Sequence, residues 1–79
     1  MSTARRIRRF IRELVGDLGV DDPLAEGLID SLEREELLAL LEESFSIEFA
    51  DEELSAERFE SIEALASLVD SKRLGRATA

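Results

Sequence analysis

The sequence contains no cysteine, histidine, tryptophan or tyrosine. Without thiols or imidazoles it cannot build a Ser–His or Cys–His nucleophilic pair, a thiolate site or a zinc site of the usual Cys/His kind. It cannot form disulfides either, so its folding needs no oxidising compartment. Carboxylates remain, but acid–base work by a carboxyl pair requires a desolvated cleft. In 79 residues a single core supplies only roughly 3–5 kcal/mol of net stability, which leaves little for one. A non-catalytic protein is expected. One proline and four glycines leave few breaks, and the only aromatics are four phenylalanines. With abundant Leu, Glu and Ala, this composition favours helices over strands. No apolar run approaches the roughly 20 residues of a membrane span, and no signal-type apolar segment follows the N-terminal arginines. These absences predict a soluble, cytoplasmic, single-domain protein.

What is present is charge, unevenly placed. The net charge is −9 at pH 7. Five arginines, Arg5, Arg6, Arg8, Arg9 and Arg12, fall within the first twelve positions, which hold no acid. Residues 13–79 therefore carry all 19 acids against the other five of the ten bases, a net of −14. Such an acidic body repels nucleic acid and anionic membrane and attracts basic patches on proteins. Hydrophobic residues make up 44% of the chain, enough for a folded core despite the charge. The run Asp51-Glu52-Glu53 lacks the glycine and alternating oxygen ligands of a calcium loop. It reads as solvated charge, and no metal site is expected.

Ile7, Phe10, Ile11, Leu14 and Leu18 recur at i, i+3, i+4, i+7 and i+11, one apolar stripe of an amphipathic helix over about residues 4–18. Ser2 or Thr3 caps its start, and the arginines lie on its other face. Gly16 and Gly19 weaken its end, and Asp21-Asp22-Pro23 stops it. A connector from Gly19 to Ile29 offers Leu24, Leu28 and Ile29 as core anchors. Asp30 predicts the next N-cap, with Glu33 three residues on completing a capping box. Leu37, Leu38, Leu41 and Phe45 form the buried stripe of this helix, which ends near Ser44–Ser46. Glu33, Glu36 and Glu43 lie outward, with Leu40 exposed among them. Ile47 and Phe49 read as loop plugs, and Asp51–Phe59 as one or two short helical turns. Ser61 caps a last helix carrying Ile62, Leu65, Ala66 and Val69. Lys72 and Arg73 near its end suit the dipole, and residues 75–79 read as a frayed tail. The prediction is an all-α fold, a small four-helix bundle of three longer helices and one short, with its core at about residues 4–74.

Gly27-Leu28-Ile29-Asp30-Ser31-Leu32 resembles the attachment segment of the acyl and peptidyl (aminoacyl) carrier protein family, in which Asp-Ser-Leu opens the second helix of a four-helix bundle. The likeness continues through Leu37, Leu41, Glu42-Glu43 and Phe45 to Ile47-Glu48-Phe49, which looks like the family's EEEFGIEI segment. Phe59-Glu60-Ser61-Ile62 and Leu65-Ala66 resemble the usual start of the fourth helix. The resemblance spans roughly residues 5–72. As a tripeptide Asp-Ser-Leu is weak; within these helices it is informative.

The resemblance implies that a phosphopantetheinyl transferase attaches 4'-phosphopantetheine from coenzyme A to Ser31, with Asp30 helping the transferase and its metal to dock. The arm's thiol then holds an acyl or aminoacyl group as a thioester, loaded by an activating ligase and delivered to downstream acyl-using enzymes. That explains how a chain without Cys or His can serve thioester chemistry. Family usage also implies that Glu33, Glu36, Leu40 and Glu43 meet partner enzymes, the acids through basic surfaces. A monomer is expected, with no nucleic-acid or membrane partner. The local physics suits the role: in a first helical turn, unpaired N–H groups and the positive dipole end favour a phosphodiester. Each residue also has a plainer reading. Ser31 and Asp30 are ordinary at a helix start, the glutamates can be a solvated face, and Leu40 can be the edge of the core.

The chain departs from the family pattern in places. Glu35 stands where many fatty-acid carriers have an apolar residue, Ala39 where many have Met, Ala50 for a common Pro and Ser46 for a common Gly. The connector before Asp30 is several residues shorter than usual. Gly-Leu-Ile-Asp-Ser looks closer to free-standing peptidyl or aminoacyl carriers, pointing to specialised metabolism. The arginine-rich first helix is unusual for the family. It reads as a solvated face, as a surface meeting an acidic partner or the chain's own acids, or as an organellar targeting segment, whose removal would delete a core stripe. The rival to the carrier is an acidic helical protein–protein adaptor with Ser31 unmodified.

Overall fold

The computed structural model describes the backbone of residues 2–78 and, within that span, the side chains other than those of Ala56 and residues 74–78. Helix α1, Thr3–Val15, is capped by Ser2, whose hydroxyl accepts the Arg5 N–H at 3.1 Å. Thr3, the other candidate cap, is buried instead, and its hydroxyl donates to the Asp70 carboxylate. Ile7 and Ile11 are sunk in the core, with Phe10 and Leu14 half-buried beside them. The helix stops at Gly16, with φ 83° and ψ −175°, a conformation open in practice only to glycine. It therefore ends short of the predicted residue 18, and Leu18, off the helix, is exposed.

Residues 23–27 form one helical turn that closes on Gly27 at φ 69°. The Leu28 N–H reaches back to the Pro23 carbonyl at 2.9 Å and the Gly27 N–H to that of Leu24 at 3.1 Å, a glycine-terminated ending that redirects the chain. Leu24 and Ile29 are buried as predicted, but Leu28 is 47% exposed. Neighbours in a non-helical segment point to opposite sides, so burying Ile29 turns Leu28 outward.

Helix α2, Ser31–Phe45, opens on the predicted capping box. The Asp30 carboxylate accepts the Glu33 N–H at 2.8 Å, and the Glu33 carboxylate accepts the Asp30 N–H at 3.0 Å. Leu37, Leu41 and Phe45 are buried and Leu38 partly so. The helix ends at Ser46, held in the left-handed region at φ 56°. Ile47 then drops into the core, and the Glu42 carboxylate takes the Phe49 N–H at 2.9 Å.

Two 3-10 turns, Asp51–Glu53 and Ala56–Phe59, stand where the short helix was predicted, and Phe59 is buried. Helix α3, Ile62–Thr78, starts on Ser61, whose hydroxyl accepts the Ala64 N–H at 3.0 Å. It continues through Gly75, where the sequence predicted a tail, because one interior glycine costs a helix only about 1 kcal/mol; Ala79 lies outside the described residues. Lys72 consequently sits within the helix rather than at its end. It pairs with Glu53 at 2.7 Å, binding the first 3-10 turn to α3, and its ammonium lies 5.9 Å from the Phe49 ring centre.

Among the described residues the fold is all-helical, without strands: three α-helices around one core, α1 packing against both α2 and α3. The radius of gyration, 12.0 Å, is that expected of a compact globule of this length. Leu24, Ile29, Ile47 and Phe59 from the connections join the helical stripes, as does Leu68, which the periodicity left out. Burying each such side chain is worth about 1.5–3 kcal/mol. One arginine departs from its predicted place. Arg6 is half-buried with its guanidinium 4.2 Å from the Phe45 ring centre, and Arg73 lies at 5.0 Å from the same ring.

Candidate functional site

Ser31 is the first residue of α2 and is exposed. Three local features hold it there. Gly27 turns the chain, Ile29 anchors it in the core, and the double cap of Asp30 and Glu33 fixes the helix start. The box occupies two of the backbone donors at this end, those of Asp30 and Glu33. The N–H groups of Ser31 and Leu32 have no hydrogen-bond partner among the described residues. A phosphate on the Ser31 oxygen would thus meet two free donors at the positive end of the helix dipole, partly offset by the two carboxylates of the box. The residues fit a phosphodiester.

Two exposed leucines bracket Ser31 along the chain. Leu32 is 64% and Leu28 47% exposed. Leu28 is thus not the core anchor predicted, and Leu32 was expected only as part of the motif. The helical phase held the signal for Leu32, which lies opposite the Leu37–Leu41 stripe. Arg34, also missed, is the only base on α2, one turn beyond Ser31. Its guanidinium rests 5.2 Å from the Phe59 ring centre, and its Nε is buried without a hydrogen-bond partner.

The predicted partner-facing residues separate into two groups. Glu36 and Glu43 are exposed, while Glu33 and Leu40 are half-buried. Glu33 and Leu40 are seven residues apart on the flank of the buried stripe, so each borders the core. Leu40 is therefore not the exposed apolar contact predicted, and the Glu33 carboxylate is already committed to the cap. Further round the molecule, the Lys72 ammonium, and after it the Ala50 N–H, hold the Glu53 carboxyl below its ordinary pKa of 4.5. This pair belongs to the packing of α3 and lies on different elements from Ser31.

Among the described residues no three acidic side chains cluster closely enough to hold a metal ion. None of the described helices is long and apolar enough to cross a membrane. No family model matches the chain, and no curated protein or solved structure is detectably similar to it.

Proposed function

We propose that this protein is a discrete acyl or aminoacyl carrier whose Ser31 bears a 4'-phosphopantetheine arm. The observation that supports this most is the placement of Ser31: an exposed hydroxyl at the first position of α2, behind a double cap and between two exposed leucines. The hydroxyl is exposed to a modifying enzyme, the cap fixes where its helix begins, and the leucines near it in the chain offer exposed apolar area. In the transfer the Ser31 oxygen bonds to phosphorus and its proton passes to a base on the transferase. The pyrophosphate link of coenzyme A breaks and the adenosine bisphosphate half leaves. The arm, once attached, supplies the thiol that the chain itself lacks.

On this reading the carrier has no catalysis of its own and works as a cytoplasmic monomer. Its partners are a phosphopantetheinyl transferase, a loading ligase and acyl-using enzymes, which approach over Glu36 and Glu43. Its fold is a variant of the carrier four-helix bundle in which the short helix is reduced to two 3-10 turns. The test is the intact mass after incubation with coenzyme A, magnesium and a broad-specificity transferase, with Ser31→Ala alongside. One phosphopantetheine on the parent and none on the variant is expected. No addition to a folded parent by more than one transferase would overturn the reading in favour of an acidic adaptor with Ser31 unmodified.

A further inference from the structure

We infer that the outer face of α1 is a docking surface for an acidic protein segment, whether or not Ser31 is modified. Arg5, Arg8, Arg9 and Arg12 fall at i, i+3, i+4 and i+7 and are all exposed, opposite the buried Ile7 and Ile11. They form one row about 10 Å long, two helical turns. Arg6 is set apart from them by its contact with Phe45.

The chain does little to neutralise this row. Arg9 pairs with Glu13 at 3.6 Å, both side chains exposed, and Arg8 donates to the Asp21 carbonyl at 3.1 Å. Among the described residues no ion pair involves Arg5 or Arg12. The row also works against its own helix. Like charges three and four apart repel, and Arg5 in the first turn opposes the dipole, while only Arg12, in the last turn, suits it. Charges that weaken their own element and find few internal partners point to an external one.

The chemistry of the face selects the partner. Arginine forks match carboxylates in bidentate pairs. The apolar side of α1 is used up in the core, so the helix has nothing to bury in a bilayer, as an interfacial helix must. The net charge of −9 opposes long polyanions and a second copy of the chain. A compact row of carboxylates two turns long meets the arginines without engaging the acidic body.

The experiment is an NMR titration of the full chain, at low ionic strength, with a helical peptide carrying Glu at i, i+3, i+4 and i+7. Saturable shifts confined to residues 5–13 are expected, weakening with salt and unchanged by Ser31→Ala. The double variant Arg5→Gln/Arg12→Gln should bind about tenfold more weakly, the worth of two exposed pairs, with its helical circular dichroism unchanged. A merely structural role for these arginines would instead lower the helical signal. Shifts elsewhere, no saturable shift, or undiminished binding by the double variant would overturn the proposal. So would tighter binding to phosphatidylserine vesicles, a DNA duplex or inorganic phosphate.

Discussion

Asp30 carries two roles that one substitution can separate. Its carboxylate caps α2 by accepting the Glu33 N–H at 2.8 Å, and the carrier reading also has it help a transferase to dock. Asparagine caps a helix about as well as aspartate. Asp30→Asn should therefore unfold in urea within about 0.5 kcal/mol of the parent, cap for cap. If the charge serves docking, its rate of phosphopantetheine transfer falls while its stability holds. Equal rates would leave Asp30 as a cap alone. Ser46 is legible at the same scale. It occupies a position where glycine is common in the resembled family, and it takes the left-handed φ of 56° that explains the preference. Leu40 is half-buried although helical phase turns it outward, because a residue on the flank of a stripe is exposed or covered according to what packs beside it.

At the scale of elements, the first 3-10 turn has little of its own to hold it. Asp51–Glu53 contains no buried residue, and its link to α3 is the Glu53–Lys72 pair at 2.7 Å. The Glu53 carboxyl is lowered in the folded state, chiefly by that bond. A depressed acid contributes stability above its unfolded pKa and loses it as pH falls through the folded value. The Tm difference between the parent and Glu53→Gln should thus be largest near neutral pH. It should close as pH falls below the ordinary value of 4.5. A difference that persisted at low pH would mean the carboxylate charge is not its source. Helix starts were legible because caps act within one turn, as at Asp30 and Ser61. The helix ends at Val15 and Thr78 were less so, since Gly16 stops a helix only by taking a special φ, and Gly75 takes none.

At the scale of the molecule, repulsion dominates the electrostatics. Residues 13–79 carry a net of −14, and the ion pairs among the described residues are Arg9–Glu13, Lys72–Glu53 and Arg73–Asp70. The principal extents are 39 × 27 × 18 Å. At about 10 mM salt the Debye length is about 30 Å, so most charges act on each other across the fold; at about 0.1 M it is about 10 Å. Thermal unfolding should therefore shift upward as NaCl is raised over that range, followed by circular dichroism. A downward shift would mean that attraction between the α1 arginines and the acidic body outweighs the repulsion among the acids.

The helical class, the starts of α2 and α3 and most of the core are written in local patterns, because periodicity and capping act over three or four residues. The long-range ties come from packing. The Asp22 carboxylate accepts the Ala25 N–H in its own turn and also the Ile62 N–H at 3.1 Å, capping α3 from 40 residues away. Thr3 bonds Asp70, Lys72 meets Glu53, and Arg6 stacks on Phe45. The exposure of Leu28 beside Ser31 followed from how the connector seats Ile29. Each of these depends on how helices cross and where a connection lands, and no pattern confined to one helix encodes that.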